Sequence, residues 1–240
     1  MLMTMAENGL TLKNKILIIG SGNAAMCAGI AALENDSDVM ILEKASETLS
    51  GGNTKYTAGA MRFCFNGMED LIPLLQNPND SRLERTEFGC YSETQFANDL
   101  LSFNNGQPLS DEQTVLVGHS YDAIRWLSGH NVKFEPIYDR QSFEKDGKHV
   151  FWGGLALSAA NEGIGLFEQE RDAFLSLGGV ILYDKEVTSL SYAEGQVNGV
   201  YVGNEYFAAD AVVLASGGFE ASAEMRAKFV GENWRAAKVR

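Results

Sequence analysis

The chain has 240 residues, 45% of them apolar, and a formal net charge of −13. That length holds one large α/β domain or two small ones, with enough apolar material for a sizeable core. The negative charge argues against nucleic acid or anionic lipid as a partner, and no apolar run approaches the roughly 20 residues needed to cross a bilayer.

The opening M-L-M-T-M-A-E has neither a basic region nor a cleavage site, so no signal peptide is expected and residues 1–14 read as a tail. Cys27, Cys64 and Cys90 are odd in number and lack metal or redox spacing. Reduced thiols in a cytoplasmic protein, with no metal site, are the expectation.

Ile16, Leu17, Ile18 and Ile19 form an unbroken apolar run, which predicts a central parallel strand covered on both faces. It stops at Gly20-Ser21-Gly22-Asn23-Ala24-Ala25, a match to G-x-G-x-x-A. Gly20 suits a tight turn, Gly22 lets backbone approach a pyrophosphate, and Ala25 keeps the next helix close to the sheet. That helix is expected from Asn23 to about Leu33, with its N-terminal amides aimed at phosphate. Asn35, Asp36 and Ser37 break it, and Val39 to Leu42 form a second strand ending in Glu43-Lys44. Glu43 lies 23 residues beyond Gly20, near the spacing of roughly 20 at which an acid binds ribose hydroxyls. The motif alone also fits a purely structural glycine turn. With a strand before it, a helix after it and an acid on the next strand tip, it reads as a dinucleotide site.

Ser50-Gly51-Gly52-Asn53-Thr54 and Ala58-Gly59-Ala60-Met61-Arg62 follow. Residues this small suit backbone lying flat against a ligand, offering amides to phosphate or to a planar ring. The alternative is a flexible surface loop, and the position one strand after the fingerprint favours the ligand.

Residues 66–131 change to helices and turns and read as an insertion in the nucleotide domain. Residues 79–88 are polar and read as a solvated excursion. A helix over 94–103 would turn Phe96, Leu100, Leu101 and Phe103 to one side. Asp111 would cap a longer helix sending Val115, Leu116, Tyr121, Ile124, Trp126 and Leu127 toward a core. His119 and Arg125 on it read as surface or packing residues. Residues 132–135 alternate like an edge strand. The aromatics before Gly153-Gly154 mark either a turn against something planar or a neighbouring strand, or a plain loop.

An amphipathic helix over 164–177, with Leu166, Phe167, Phe174 and Leu175 inward, leads to a parallel strand at 180–183. Residues 186–207 alternate in short runs, which predicts a three-stranded antiparallel meander. Residues 210–214 read as a buried strand ending in Ala215-Ser216-Gly217-Gly218.

In order, G-S-G-x-A-A, E-K, S-G-G-N-T and A-G-A-M resemble the fumarate reductase/succinate dehydrogenase flavoproteins. The resemblance implies FAD, held by Gly20, Ser21, Gly22, Asn23, Ala24, Ala25, Glu43, Lys44, Gly51, Gly52, Asn53, Thr54, Ala58, Gly59 and Ala60. Covalent members of that family tether flavin to a histidine beside a threonine. Asn53 stands there in this chain, which implies non-covalent FAD. The common A-G-G-M is A-G-A-M here, with Ala60 at the second glycine. A-D-A-V-V-L-A-S-G-G-F is a signature of the family, with Ser216 for the commoner threonine. The family places backbone near Val187 at the adenine and packs the Ala215, Ser216, Gly217 and Gly218 turn against the nucleotide loop.

G-N-A-A-M-C-A, V-K-F-E-P-I-Y, F-W-G-G-L and G-G-F-E-A with E-M-R-A-K-F look like tricarballylate dehydrogenases. Those enzymes oxidise propane-1,2,3-tricarboxylate to cis-aconitate, passing hydride to FAD. A membrane-associated iron–sulfur, haem-type protein then takes the electrons. A cobalamin-pathway flavoprotein shares the same motifs. The resemblance also implies a capping domain and the remainder of the FAD domain beyond Arg240, carrying the catalytic histidines and arginine. No catalytic residue is therefore expected in residues 1–240. Arg62 is the cation best placed in sequence to meet a substrate carboxylate, and a plain surface arginine is its alternative.

The expected fold is α/β, a Rossmann-like FAD-binding domain over 15–240 with a parallel sheet, the meander and the helical insertion. The expected function is an FAD-dependent dehydrogenase of a small polycarboxylate, without direct membrane insertion. The competing readings are a flavin-binding module without turnover and a fumarate-reductase-like or cobalamin-pathway flavoprotein. An NAD-binding dehydrogenase fits the fingerprint but not S-G-G-N-T or A-S-G-G-F.

Overall fold

The computed structural model describes residues 14–238, and the chain divides into two compact units. The first takes residues 14–52 and 174–238, the second Asn53–Ala173. The tail expected over 1–14 lies outside the described residues apart from Asn14, as do residues 239–240.

The first unit is built on a parallel sheet in the order Ala211–Leu214, Lys15–Ile19, Asp38–Leu42, Val180–Leu182. Its register sets Ile19 beside both Leu42 and Leu214, and Leu42 beside Leu182, so the strands finish level at their C-terminal ends. Side chains alternate across such a sheet. Leu17 and Leu42 face a core with Val200, onto which Ile19, Met40, Leu182, Val187 and Phe207 pack. Ile18 takes the other face, under the helix Asn23–Glu34, which buries Ala25, Met26, Gly29 and Ile30. A Cβ at Gly29 would stand 2.6 Å from the Phe174 ring, and one at Gly179 2.3 Å from the same ring. Two glycines thus make the slot for one fully buried phenylalanine.

The meander forms as expected, from Ser189–Ala193, Gln196–Val202 and Glu205–Ala208. Its first turn holds Glu194 and Gly195 at φ 51° and 81°, the paired positive angles of a tight hairpin matched to strand twist. The strand Ala211–Leu214 departs from expectation. Among the described residues it is the sheet edge, and Leu214 is 65% exposed.

In the second unit Ala60–Met61, Leu157–Ala159 and Phe134–Pro136 make one antiparallel sheet, with Phe134–Pro136 at its edge. The hairpin Ser142–Lys145 with Lys148–Phe151 pairs with Thr86–Glu87 in another. Two helices, Glu93–Leu101 and Asp111–Gly129, open on capping boxes, Ser92 with Gln95 and Ser110 with Gln113. Ser110, not Asp111, is therefore the cap of the longer helix, since its hydroxyl accepts from the Gln113 amide and the Gln113 side chain returns the bond. That helix buries Val117, Ser120, Ile124 and Leu127 and leaves Val115 and Leu116 in solvent. The spacing three, four and three selects one stripe; Val115 lies off it, and Leu116, four residues before Ser120, stands exposed at its edge. Leu101, Phe103 and Leu175 are exposed too, contrary to the inward positions expected for them. Residues 79–88 are not wholly solvated: Leu83, Thr86 and Phe88 are buried.

Candidate functional site

At the C-terminal ends of the parallel strands, Gly20 turns the chain at φ 97°, its amide donating to the Leu42 carbonyl at 2.9 Å. A Cβ there would sit 2.5 Å from the Ala215 carbonyl oxygen and 3.0 Å from the Ser216 Cα. Backbone of the fingerprint turn therefore lies directly on the Ala215-Ser216 turn.

The helix that follows starts without a side-chain cap and has no acid in its first turn. Its first intrahelical bond runs from the Met26 amide to the Gly22 carbonyl. Such a start leaves the positive end of the helix dipole for an outside anion. Ala24 is exposed there, Gly22 and Asn23 are half-buried, and Ala25 is buried against the sheet.

Glu43 lies buried on the neighbouring strand tip. Its Oε2 accepts from the Ser21 hydroxyl at 2.6 Å and its Oε1 from the Ala45 amide at 2.8 Å. Ser21 in turn accepts from the Gly51 amide at 3.1 Å. Fingerprint turn, strand tip and the start of S-G-G-N-T are so joined through two buried side chains. Lys44 projects into solvent. Gly52 at φ 53° and Gly217 at φ 83° have no atom within 4 Å of where a Cβ would stand, so their backbone faces open space. Gly218 is different: a Cβ there would meet the Glu220 carboxylate. The Val187 side chain packs on the core beneath the meander.

The remaining expected residues belong to the second unit. Asn53 and Thr54 sit in a 3-10 turn over Gly52–Tyr56, and Thr57 donates through its hydroxyl to the Thr54 carbonyl. Ala58 is half-buried and Ala60 exposed, the latter on a strand paired to Ser158. Gly59 is closely packed. At φ 65° its Cβ would stand 2.6 Å from the Glu162 carbonyl carbon. Gly163 meets the Thr54 carbonyl oxygen in the same way, at 2.2 Å. Sequence reading missed Gly163, whose signal was the pair of glycines in N-E-G-I-G.

Arg62 does not stand free for a substrate. Its Nη1 donates to the Tyr91 hydroxyl at 3.0 Å and to Asp99 Oδ2 at 3.2 Å, and the Tyr91 hydroxyl donates to Asp99 at 2.6 Å. Burial, then the Asp99 carboxylate, pushes the Tyr91 phenol above its ordinary range. Of the readings open for Gly153-Gly154, the structure sets a planar group beside Gly154, the Tyr91 ring, 2.3 Å from where a Cβ would stand. Nearby, a cavity of about 460 Å³ is lined by Cys64, Tyr91 and Tyr121 and by the carboxylates of Asp70, Glu93 and Asp122. Burial pushes the Cys64 thiol up. With three acids and no basic residue in its wall, that cavity repels a polycarboxylate.

Comparison with known proteins agrees with the strand-tip geometry. The FAD binding domain family matches residues 15–238. A fumarate reductase (cytochrome) of Shewanella frigidimarina is 25% identical over 219 residues, covering 89% of this chain and 34% of that protein. A urocanate reductase of Eggerthella lenta is 27% identical over 245 residues, covering 93% and 35%. The chain therefore spans about a third of the length of these relatives. Among solved structures, the 3-ketosteroid-Δ4-(5α)-dehydrogenase of Rhodococcus jostii RHA1 shares the fold at a TM-score of 0.64 and 20% identity, over 93% of this chain and 50% of that one. The chain belongs to the FAD binding domain family, within the fumarate reductase/succinate dehydrogenase flavoprotein superfamily, and FAD is its cofactor.

Proposed function

We propose that the whole protein is an FAD-dependent oxidoreductase that removes hydrogen from adjacent carbons of a small polycarboxylate, tricarballylate in the specific reading. The observation that carries the cofactor half is the Gly51–Ser21–Glu43 chain of hydrogen bonds at the strand tips. The residues there fit an FAD. An uncapped helix start suits the pyrophosphate, a buried carboxylate suits ribose hydroxyls, and open backbone at Gly52 and Gly217 suits a flat contact. Bound FAD supplies the two-electron acceptor for hydride. The chain's own residues hold and orient it, and they release it when unfolded, because Asn53 offers no histidine for a tether. Acid denaturation of the FAD-loaded protein should leave all the colour in solution. Yellow retained in the precipitate would sink the non-covalent reading.

The substrate half is supported by the sequence resemblance; of the relatives, one is named for fumarate, a dicarboxylate, and one for urocanate, which carries a single carboxylate. Both names denote reductases of unsaturated carboxylates, the reverse direction of tricarballylate oxidation. Electrons would leave to a membrane-associated acceptor protein. The alternative, a flavin-binding module without turnover, is favoured by one observation: the charge of Arg62 is already matched by Asp99.

Anaerobic mixing of the whole FAD-loaded protein with tricarballylate tests the choice. Bleaching of the flavin is the expected result. Reoxidation of chemically reduced flavin by fumarate or urocanate, with no bleaching by tricarballylate, would replace the dehydrogenase reading with a reductase. No response to any of the three favours the module.

A further inference from the structure

We propose that Ser21 is a positioning residue that aims the Glu43 carboxylate at the two hydroxyls of the adenosine ribose. The proposal rests on the FAD reading above and adds a residue through which the glycine turn takes part in ribose selection.

Ser21 is 1% exposed, so its hydroxyl has no solvent to bond. A serine hydroxyl carries one proton and two acceptor sites. The Gly51 amide can only donate, at 3.1 Å, and so occupies an acceptor site. The single proton is left for Glu43 Oε2 at 2.6 Å, the short distance of a hydroxyl on a carboxylate. The direction of the relay is thereby fixed, from Gly51 through Ser21 to Glu43.

A carboxylate has about four acceptor sites. Ser21 fills one on Oε2 and the Ala45 amide fills one on Oε1. One site remains on each oxygen, which matches a vicinal pair of hydroxyls. Two donors from different directions also stop the carboxylate from turning about its last bond. Without the Ser21 hydroxyl the charge stays, but Oε2 loses the donor that sets its orientation. Ser21 therefore acts on the ligand only through Glu43, which distinguishes it from a residue that merely braces the turn.

The test is equilibrium titration of the full chain with FAD, ADP and 2′,3′-dideoxy-ADP. Wild type should prefer ADP to the dideoxy compound by about tenfold or more, as two hydrogen bonds to a charged acceptor imply. Ser21→Ala should weaken FAD about tenfold or more and bring the ADP-to-dideoxy ratio close to one. Adding it to Glu43→Ala should cost nothing more, since both changes remove one coupled unit. The ratio is internal to each protein, so partial loss of folded chain cancels. Should the alanine chain not fold, Ser21→Cys, nearly isosteric and a much weaker donor, gives the same reading. Equal weakening of ADP and dideoxy-ADP, or losses that add to those of Glu43→Ala, would overturn the positioning role. Wild type that binds FAD but ignores the missing hydroxyls overturns the proposal and leaves FAD binding intact. Wild type that binds neither FAD nor ADP overturns the FAD reading itself.

Discussion

Glycines do two opposite kinds of work: some leave the space at the missing Cβ open, and others, Gly20 of the first unit included, are pressed against protein atoms. In the first unit, Gly52 and Gly217 hold positive φ with open space where a side chain would stand. In the second unit, Gly59, Gly154 and Gly163 are pressed against the Glu162 backbone, the Tyr91 ring and the Thr54 carbonyl. Gly52, Gly59 and Gly217 sit in runs of small residues that look alike on paper, whereas Gly154 follows Phe151 and Trp152 and Gly163 stands between Glu162 and Ile164. Glycine density therefore marks close approach of backbone to something, and the space at the missing Cβ decides whether that something is a ligand or the protein itself.

Substitution can break that comparison. The largest effect should come at Gly20, where left-handed strain of about 1–2 kcal/mol adds to an overpacking cost of about 1–3 kcal/mol. The obstacle there is the Ala215 carbonyl, which cannot swing aside as a side-chain tip can. Gly20→Ala should lower the urea midpoint steeply and weaken FAD in whatever remains folded. Gly154→Ala meets the buried Tyr91 ring without positive φ and should cost about 1–3 kcal/mol by overpacking. Its folded fraction should bind FAD as wild type does. A matching loss of FAD affinity in Gly154→Ala would erase the distinction between the two units.

Gly52→Ala sharpens it. The left-handed conformation costs an alanine about 1–2 kcal/mol, with no clash added. FAD affinity should fall further than that stability loss explains, because the methyl enters the open face. Unchanged affinity would remove Gly52 from the contact.

The smallest effect concerns pH. The Tyr91 phenol has a folded pKa above its unfolded value, so its contribution to stability is complete below about pH 10 and is lost as pH rises through the folded value. Tyr121 is displaced in the same direction by burial and then by Asp70. Tyr91→Phe should therefore flatten, without abolishing, the alkaline fall in stability, read as melting temperature between pH 9 and 11. An unchanged slope would mean the Arg62–Tyr91–Asp99 cluster opens before the phenol ionises.

The parallel sheet and the meander were legible because each strand carries its own pattern and each turn its own residues. Even the Ser21–Glu43 bond was within reach: Ile19 beside Leu42 puts the next residues of both strands at one tip. What escaped is instructive. The hairpin at Ser142–Lys145 and Lys148–Phe151 has an Asp146-Gly147 turn at φ 51° and 77°, a standard hairpin signal. Its first strand is largely exposed and its second carries only Val150 and Phe151 as apolar residues, so no apolar alternation drew attention to it. The slot that Gly29 and Gly179 make for Phe174 joins positions far apart in sequence and needs the tertiary fold to be seen. Arg226 is buried yet donates to the carbonyls of Glu220, Trp234, Arg235 and Ala237, clasping the segment after the diglycine turn. Arginine is so rarely buried that sequence alone favours the surface. Arg62 escaped for the opposite reason, since the phenol and carboxylate that hold it lie 29 and 37 residues away.

The central claim is that the strand tips of the first unit bind the adenosine half of FAD through Glu43. Titrating the apo chain with FAD, followed by flavin fluorescence, tests it most directly. Glu43→Ala removes one or two hydrogen bonds to a charged acceptor, about 1.5–3 kcal/mol each, which is at least a tenfold loss of affinity. Arg62→Ala, in the second unit, should leave FAD affinity unchanged. Saturable binding that Glu43→Ala weakens tenfold or more is the result expected, and equal affinity in wild type and Glu43→Ala would contradict the account.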